Sequence, residues 1–427
     1  MLPANHPQRQ QVADEIHARP STALTTPSRA SYVALMVAPG QRAAEFAHLC
    51  ALCGDLGVAA PADGTLQFSA RFGTLLLKWE RHGEFSGLTL FADGAGDAPF
   101  VETAVTLLPA GWLAQMPGST LVAAHALLIE GDDRHTPAAL LEQHFEGNIV
   151  VGAAIGDGAG LAFTDFRIHE DGYTRFLLID HNFTERQSGR MLQRLFEIEA
   201  YRVLALLALP TARAQAPRTR AIELALGELT AQIAAEDGST SDEALLHELT
   251  QLAAAVESSL ATTEFRFNAC IAYHALVTTR IEELRERRLS GVQPIGEFMT
   301  RRLSPAVSTC RHALRRLHEL SDRVAKVSGL LSTRVDITRE RQNQALLASM
   351  ERRTGLQLRL QQTVEGLSIA AIVYYASGLV GYAAKAGKAA HLPINPDLVV
   401  GVALPVLFAS VWLGLRRVHR KLHAADH

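Results

Sequence analysis

The chain reads as an α+β membrane protein: an N-terminal cytoplasmic α/β domain, a long helical, coiled-coil-like stalk and a C-terminal two-helix transmembrane hairpin. Three observations predict this. Strand-like runs alternate with short helical patterns only as far as about residue 184, every later segment up to residue 365 has helical periodicity, and two charge-free stretches of 19 and 18 residues follow. The 427 residues are 48% hydrophobic with 41 Lys+Arg against 44 Asp+Glu, which excludes a disordered polymer, and four cysteines exclude a disulfide scaffold. The near-neutral sum conceals segregation: residues 301–365 carry +7 and residues 366–427 carry +4, leaving −14 on residues 1–300. The start, MLPANHPQRQQ, has no apolar run of signal-peptide type, so the body is expected in a reducing cytoplasm.

Residues 1–30 are polar and punctuated by Pro7, Pro20 and Pro27, with one short helix expected from Gln8 to Ala18. Strands are expected at 31–38, 66–72, 74–81, 85–92, 120–129, 148–155, 161–168 and 174–180, from β-branched and aromatic content and alternation. Helical periodicity falls at Gln41–Leu56, Val101–Ala114 and Pro137–Glu146. The turn signals DGAG (157–160) and EDG (170–172) make the last three strands an antiparallel meander. Residues 1–184 are therefore read as one domain.

Beyond it, Gln187–Leu209, Thr219–Ala235, Asp242–Arg288 and the chain from about Glu297 onward read as helices, separated by Pro210, EDGSTS (236–241) and SGVQP (290–294). Residues 185–296 form a helical hairpin region and 297–365 a stalk helix, in which Leu317, Leu320, Val324, Val327 and Leu331 recur at the 3, 4, 3, 4 spacing of a packed seam.

Gly366 to Ala384 and Leu398 to Leu415 carry no charge. At about 1.5 Å per residue each is long enough for a hydrocarbon core of about 30 Å. The spans are thus residues 366–384 and 398–415, with 385–397 as an external loop and 416–427 as a basic tail. Arg352, Arg353 and Arg359 precede the first span, and Arg416, Arg417, Arg420 and Lys421 follow the second, against Lys385 and Lys388 between them. By the positive-inside rule both termini are expected in the cytoplasm and the loop outside.

The segments HPQRQQVADEIHARP (6–20), TDFRIHEDGYTRFLL (164–178), GRMLQRLFEIEAYRVLALLALP (189–210) and TRVDITRERQNQALLASMERRTGLQLRLQQTVEGLSIAAIVYY (333–375) resemble the bacterial membrane-anchored proteins of the domain-of-unknown-function family numbered 3422. That resemblance implies anchoring in a bacterial inner (cytoplasmic) membrane and no assigned activity. The order of a cytoplasmic α/β domain, folded-back helices, a long helix into the first span, a short loop and a basic tail also resembles the CorA-type magnesium transporters. Those are homopentamers whose first spans line a pore with a Gly-Met-Asn signature at its mouth. Here the first span ends GLVGYAAKAG (378–387), without that signature.

Candidate residues fall into two groups. On the stalk and first span, Arg334, Asp336, Gln361, Glu365, Gly378, Gly381 and Tyr382 are pore or neck candidates if the helix repeats around an oligomer axis, and a solvated helix face otherwise. Near the N-terminus, His6, Arg9, Glu15, His17 and Arg19 form either a ligand cluster for a metal or anion or a docking segment for the acidic body. Asp165 and Arg167 fall on one strand face and are expected to take part in an ion pair across the meander; Glu197, Glu199, Tyr201 and Arg202 are expected to pair between helices. The Cys50-x-x-Cys53 spacing sits on an apolar-periodic helix and reads as buried thiols. No Walker, HExxH, GxSxG or dinucleotide motif occurs, so no enzyme is expected, no cofactor beyond a divalent cation, and no nucleic acid. The expected partners are the lipid bilayer and further copies of the chain. The leading expectation is a homo-oligomeric, CorA-like cation channel; the alternative is a non-transporting anchor for a cytoplasmic binding or scaffolding domain.

Overall fold

A computed structural model describes residues 3–16, 20–131, 137–235, 241–389 and 395–423. It consists of two compact units, residues 1–328 and residues 329–427.

The first unit is built on one sheet of eight strands. These are β1 (Ser28–Met36), β2 (Gln67–Phe72), β3 (Leu75–Arg81), β4 (Phe85–Asp93), β5 (Ser119–Glu130), β6 (Val151–Ile155), β7 (Gly160–Thr164) and β8 (Thr174–Asp180), in the order β2-β3-β4-β1-β5-β8-β7-β6. Each coincides with an alternating run in the sequence, and β6, β7 and β8 form the expected antiparallel meander. Among the described strands only β5 and β8 are parallel neighbours. A parallel pair needs a long crossover, supplied here by the β6–β7 hairpin and helix α3 (Pro137–Phe145), which follows helices α1 (Arg9–Ile16) and α2 (Arg42–Asp55).

The two-residue period of the strands sorts side chains onto two faces. On one, Val33, Leu35, Leu77, Trp79, Leu88 and Leu90 are buried against Leu49 and Leu52 of α2. Within this core the carboxylate of Glu45, fully buried, accepts from Trp79 Nε1 at 2.9 Å and from Arg81 Nη2 at 3.2 Å. The other face carries Tyr32, Thr89 and Lys78 in one cross-strand row, and Ala34, Gly87 and Glu80 in the next. Buried polar side chains on a sheet require partners from above.

Those come from the helices α4 (Glu185–Leu206), α5 (Ala208–Ala234), α6 (Asp242–Leu284) and α7 (Ile295–Arg302). Thr184 opens α4 with a capping box: its hydroxyl accepts from Gln187 N at 3.4 Å, and its own N–H donates to the Gln187 side chain at 3.0 Å. The long helix α8 (Ser304–Ala389) begins on this unit, where Arg316 donates to Glu223 of α5 at 2.9 Å, Ser321 to Glu257 of α6 at 3.0 Å, and the predicted seam Leu317, Leu320, Val324, Val327 is buried. After α6 the chain returns to the edge strand β6, where Gly152 N donates to Gln293 O at 2.9 Å and Ala154 N to Arg287 O at 3.0 Å, covering an otherwise open edge.

Four expectations are corrected. Val101–Ala114 is not one helix but two short 3-10 turns, Ala104–Leu107 and Leu113–Gln115, because Pro109 and the left-handed Gly111 (φ 75°) interrupt it. The separation expected at Pro210 falls three residues earlier, at Leu207: Pro210 sits in the first turn of α5 and lacks the N–H that Leu206 O would accept if α4 continued. The helix expected from Glu297 onward is present, α7 passing into α8 through Leu303, whose backbone is itself helical and whose N–H donates to Met299 O at 2.8 Å. The strand 161–168 stops at Thr164, since Asp165 accepts from Arg167 N at 3.1 Å and Phe166 is left-handed (φ 53°). Asp165 then pairs with His169 at 2.9 Å rather than with Arg167 across the meander.

The second unit consists of the remainder of α8 and helix α9 (Pro396–His423). Val373 and Ala384 are buried, while Leu379, Tyr382, Leu398, Phe408 and Trp412 are exposed. A Cβ added to Gly381 would meet Val400 Cγ2 at 3.3 Å, so the two helices touch at a glycine.

Candidate functional site

The polar row on the sheet becomes a site because small residues leave room above it. Gly87 lies opposite Glu80 on the sheet and Ala34 opposite Gly87, and Gly189 and Ala200 of α4 lie above. The resulting enclosed cavity is about 250 Å³, just below the roughly 300–1,000 Å³ of drug-sized ligand sites. A Cβ on Gly87 would stand 3.2 Å from the Tyr32 ring, so glycine here is what allows Tyr32 to lie across the floor, stacked on Phe196 of α4 at 5.2 Å between centroids.

Both walls carry charge. From the sheet, Lys78 Nζ lies 3.0 Å from Glu80 Oε1, outside hydrogen-bonding geometry, and donates instead to the carbonyl of Pro20 at 2.9 Å. From the helices, Glu197 of α4 accepts from Gln193 Nε2 at 2.8 Å and pairs with Arg280 of α6, whose Nη1 also donates to Glu283 at 3.0 Å. Burial, followed by the neighbouring Tyr201, Glu197 and Glu80, pushes the Tyr32 hydroxyl well above the usual phenol range, so it stays protonated. Tyr201 stacks on Tyr273 of α6 at 5.8 Å between centroids, and outside the cavity lining Glu84 accepts from Arg266 of α6 and, at 3.2 Å, from Tyr273, whose hydroxyl is pushed up to about 12 by burial and by Glu84.

The chain ahead of β1 forms the outer wall. Leu24 N donates to Glu185 O at 3.0 Å, Thr26 Oγ1 to Asp180 Oδ2 at 2.7 Å, and Thr22 is in contact with the cavity. Residues 20–27 are therefore a strap laid over the start of α4.

Of the residues singled out from sequence, Glu197 and Tyr201 line this cavity, and the others fall elsewhere. His6 accepts from Gln8 N at 3.2 Å and Arg9 donates to Asn5, bonds local to the start of α1. Glu15 lies on α1, and His17 and Arg19 lie outside the described residues. No group of three or more His, Cys, Asp or Glu side chains suited to a metal occurs among the described residues. Glu199 and Arg202 pair with each other within α4, at 2.6 Å, rather than between helices, whereas Glu197 pairs across helices as expected, with Arg280 of α6. Cys53 is buried and Cys50 half-buried, both free thiols.

In the second unit, Gly378, Gly381 and Tyr382 line a groove of about 630 Å³ between α8 and α9, together with Tyr375, Asp397 and Val400. Arg334, Asp336, Gln361 and Glu365 lie along α8 outside it, with Asp336 and Gln361 exposed and Arg334 and Glu365 half-buried. Stretches of α8 and α9 reach mean hydropathies of 1.5 and 1.9 over 18 residues, long and apolar enough to cross a membrane.

Lys78 and Glu80 escaped the sequence reading because polar residues alternating on a strand look like a solvent face. The available signal was the matching polar stripe Gln193, Glu197, Tyr201 on α4, spaced at one helix face. No curated protein and no solved structure matches this chain. A family model described as "Protein of unknown function (DUF3422)" matches residues 4–422, nearly the whole length and all of the elements above, and the chain belongs to that family.

Proposed function

We propose that the protein is a membrane-tethered binding protein. The two apolar helices cross the bacterial inner membrane, both termini lie in the cytoplasm, and the sheet-and-helix unit holds a small ligand in the cavity under α4 as a binding rather than a catalytic module. One observation carries the tether: the apolar windows of α8 and α9 are only 11% and 0% buried, whereas equally apolar helices of a water-soluble core would be covered. The arginines flanking both windows support the cytoplasmic termini. Alkaline carbonate should leave the full-length chain in the membrane pellet. A Lys388→Cys variant should react with an impermeant maleimide in intact cells, while the four native cysteines should not. Release by carbonate overturns the tether, and labelling only after lysis overturns the cytoplasmic termini.

The groove lined by Gly378, Gly381 and Tyr382 favours a second reading, a CorA-like homo-oligomer that conducts cations, with divalent ions drawn to the acidic body. Two spans cannot enclose a pore without several copies. A monomer or dimer in mild detergent, together with no cation flux in proteoliposomes, decides for the tether; a higher oligomer with flux decides for conduction.

A further inference from the structure

A second recess, of about 530 Å³, opens where the C-terminal end of α4 meets α7, β6 and the loop after β7. It shares no lining residue with the cavity described above, and its volume is within the roughly 300–1,000 Å³ of small-ligand sites. Its lining is largely apolar: Val151, Leu206 and Met299 surround the rings of Phe166 and Phe298, which stack at 5.4 Å between centroids. Phe166 reaches that stack from a left-handed backbone (φ 53°), a conformation that costs a bulky residue about 1–3 kcal/mol. The charge around this lining is of one free sign. Three arginines line the recess, and one of them is spent: Arg202 donates twice to Glu199, at 2.6 Å each, and lies over the Phe166 ring at 5.0 Å. The guanidinium groups of Arg167 and Arg302 are exposed and have no hydrogen-bond or ion-pair partner among the described residues. The one carboxylate in the lining, Asp165, is buried and already engaged, by His169 at 2.9 Å, Asn148 Nδ2 at 2.9 Å and the Arg167 N–H at 3.1 Å.

We infer that this recess binds an amphipathic anion, a single apolar chain on a carboxylate or phosphate head, with the head on Arg167 and Arg302 and the chain against Phe166, Phe298 and Leu206. Each guanidinium presents a planar fork of N–H donors that matches two oxygens of such a head. The two forks stand over an apolar lining on a part of the chain that is otherwise acidic, with −14 over residues 1–300, so the local excess of positive charge is specific to this place. A concave recess of this size takes one molecule rather than the surface of a bilayer. The inference is independent of the ligand under Gly189 and Ala200, and its failure leaves that reading standing.

The test is calorimetric titration of the full-length protein in mild detergent, with the heat of protein-free micelles subtracted, using four probes that share one chain: octanoate, octyl phosphate, octan-1-ol and octylammonium. At least one of the two anions should bind saturably, and the alcohol and the cation roughly tenfold or more weakly, the loss expected when a hydrogen bond between charged groups is removed. The tighter of the two anions identifies the head group. Arg167→Gln and Arg302→Gln should each weaken that anion several-fold, and the double variant should bind it no better than the wild type binds octan-1-ol. Both side chains are exposed, so the melting temperature should stay in place. Ile149→Glu, at a lining position that is 85% exposed, sets a carboxylate beside the recess and should weaken the anion without disturbing the fold. Saturable binding of neither anion, equal binding of octan-1-ol or octylammonium, or a double variant that binds the anion as the wild type does, overturns the inference.

Discussion

The carbonyl oxygen of Thr22 stands 1.6 Å from where a Cβ on Gly189 would be. No side-chain rotation relieves that clash, because the obstacle is backbone, so glycine is what lets the strap lie on α4. Gly189→Ala should lift residues 20–27 from the helix at a cost of about 1–3 kcal/mol, the usual range for overpacking. Limited proteolysis should then cut within 20–27 far faster than in the wild type. Unchanged protection would mean that the strap does not depend on this contact.

Glu45 is the only acceptor through which Trp79 Nε1 and the guanidinium of Arg81 meet in the core beneath α2, among the hydrogen bonds of the described residues (2.9 and 3.2 Å). Removing one member of a buried charge pair strands the other. Glu45→Ala should therefore destabilise the first unit by about 3–5 kcal/mol. Glu45→Gln, which keeps an oxygen for Trp79, should cost less. Thermal or urea unfolding of the two variants side by side gives the difference, and equal losses would argue that volume rather than hydrogen bonding matters there.

The histidine buried between β1 and β8 makes stability depend on pH. His125 Nδ1 lies 2.9 Å from Ser31 Oγ, its ring stacks on Tyr173 at 3.8 Å, and burial lowers its pKa to about 4, with Arg175 adding to the fall and Asp171 opposing it. A folded pKa below the unfolded value of 6.5 means that the unfolded chain binds the proton first. The contribution is whole above pH 6.5 and is lost as pH falls toward 4, by about 3 kcal/mol at most. His144 and His274 are shifted the same way by burial. His125→Asn should flatten, not abolish, the fall in melting temperature between those limits; an unaltered slope would assign it to other groups.

How much of this was legible in the sequence depended on how local the cause was. Leu75, Leu77 and Trp79 alternate within one strand, so the existence of β3 needed nothing else, and the seam Leu317, Leu320, Val324, Val327 announced a packed helix by spacing alone. Val101–Ala114 failed because periodicity was weighed above Pro109. The site failed for a different reason. Whether Lys78 and Glu80 face water or a cavity is set by α4, more than a hundred residues later, and by the omission of side chains at Gly87 and Gly189. The cluster of His6 with Arg9, picked out by charge density, is local in sequence and makes local bonds in the fold, whereas the charges that line the cavity are spread over β3, α4 and α6.

Gly381 offers a test of the contact between α8 and α9. Its Cβ would lie 3.3 Å from Val400 Cγ2, tight enough that the valine must give by a few tenths of an ångström. Gly381→Ala should therefore be tolerated with a small loss, while Gly381→Leu should force the helices apart, with an overpacking cost of about 1–3 kcal/mol. Hydrogen exchange of the 396–414 backbone in detergent reports this directly, because an unpacked α9 opens more often. The contact is a pair, so the penalties should not add: Val400→Ala frees the space that the introduced side chain would occupy, and the double variant should recover a large part of the protection lost in Gly381→Leu. If Val400→Ala gives no recovery, the larger side chain is disturbing α8 itself rather than its packing on α9.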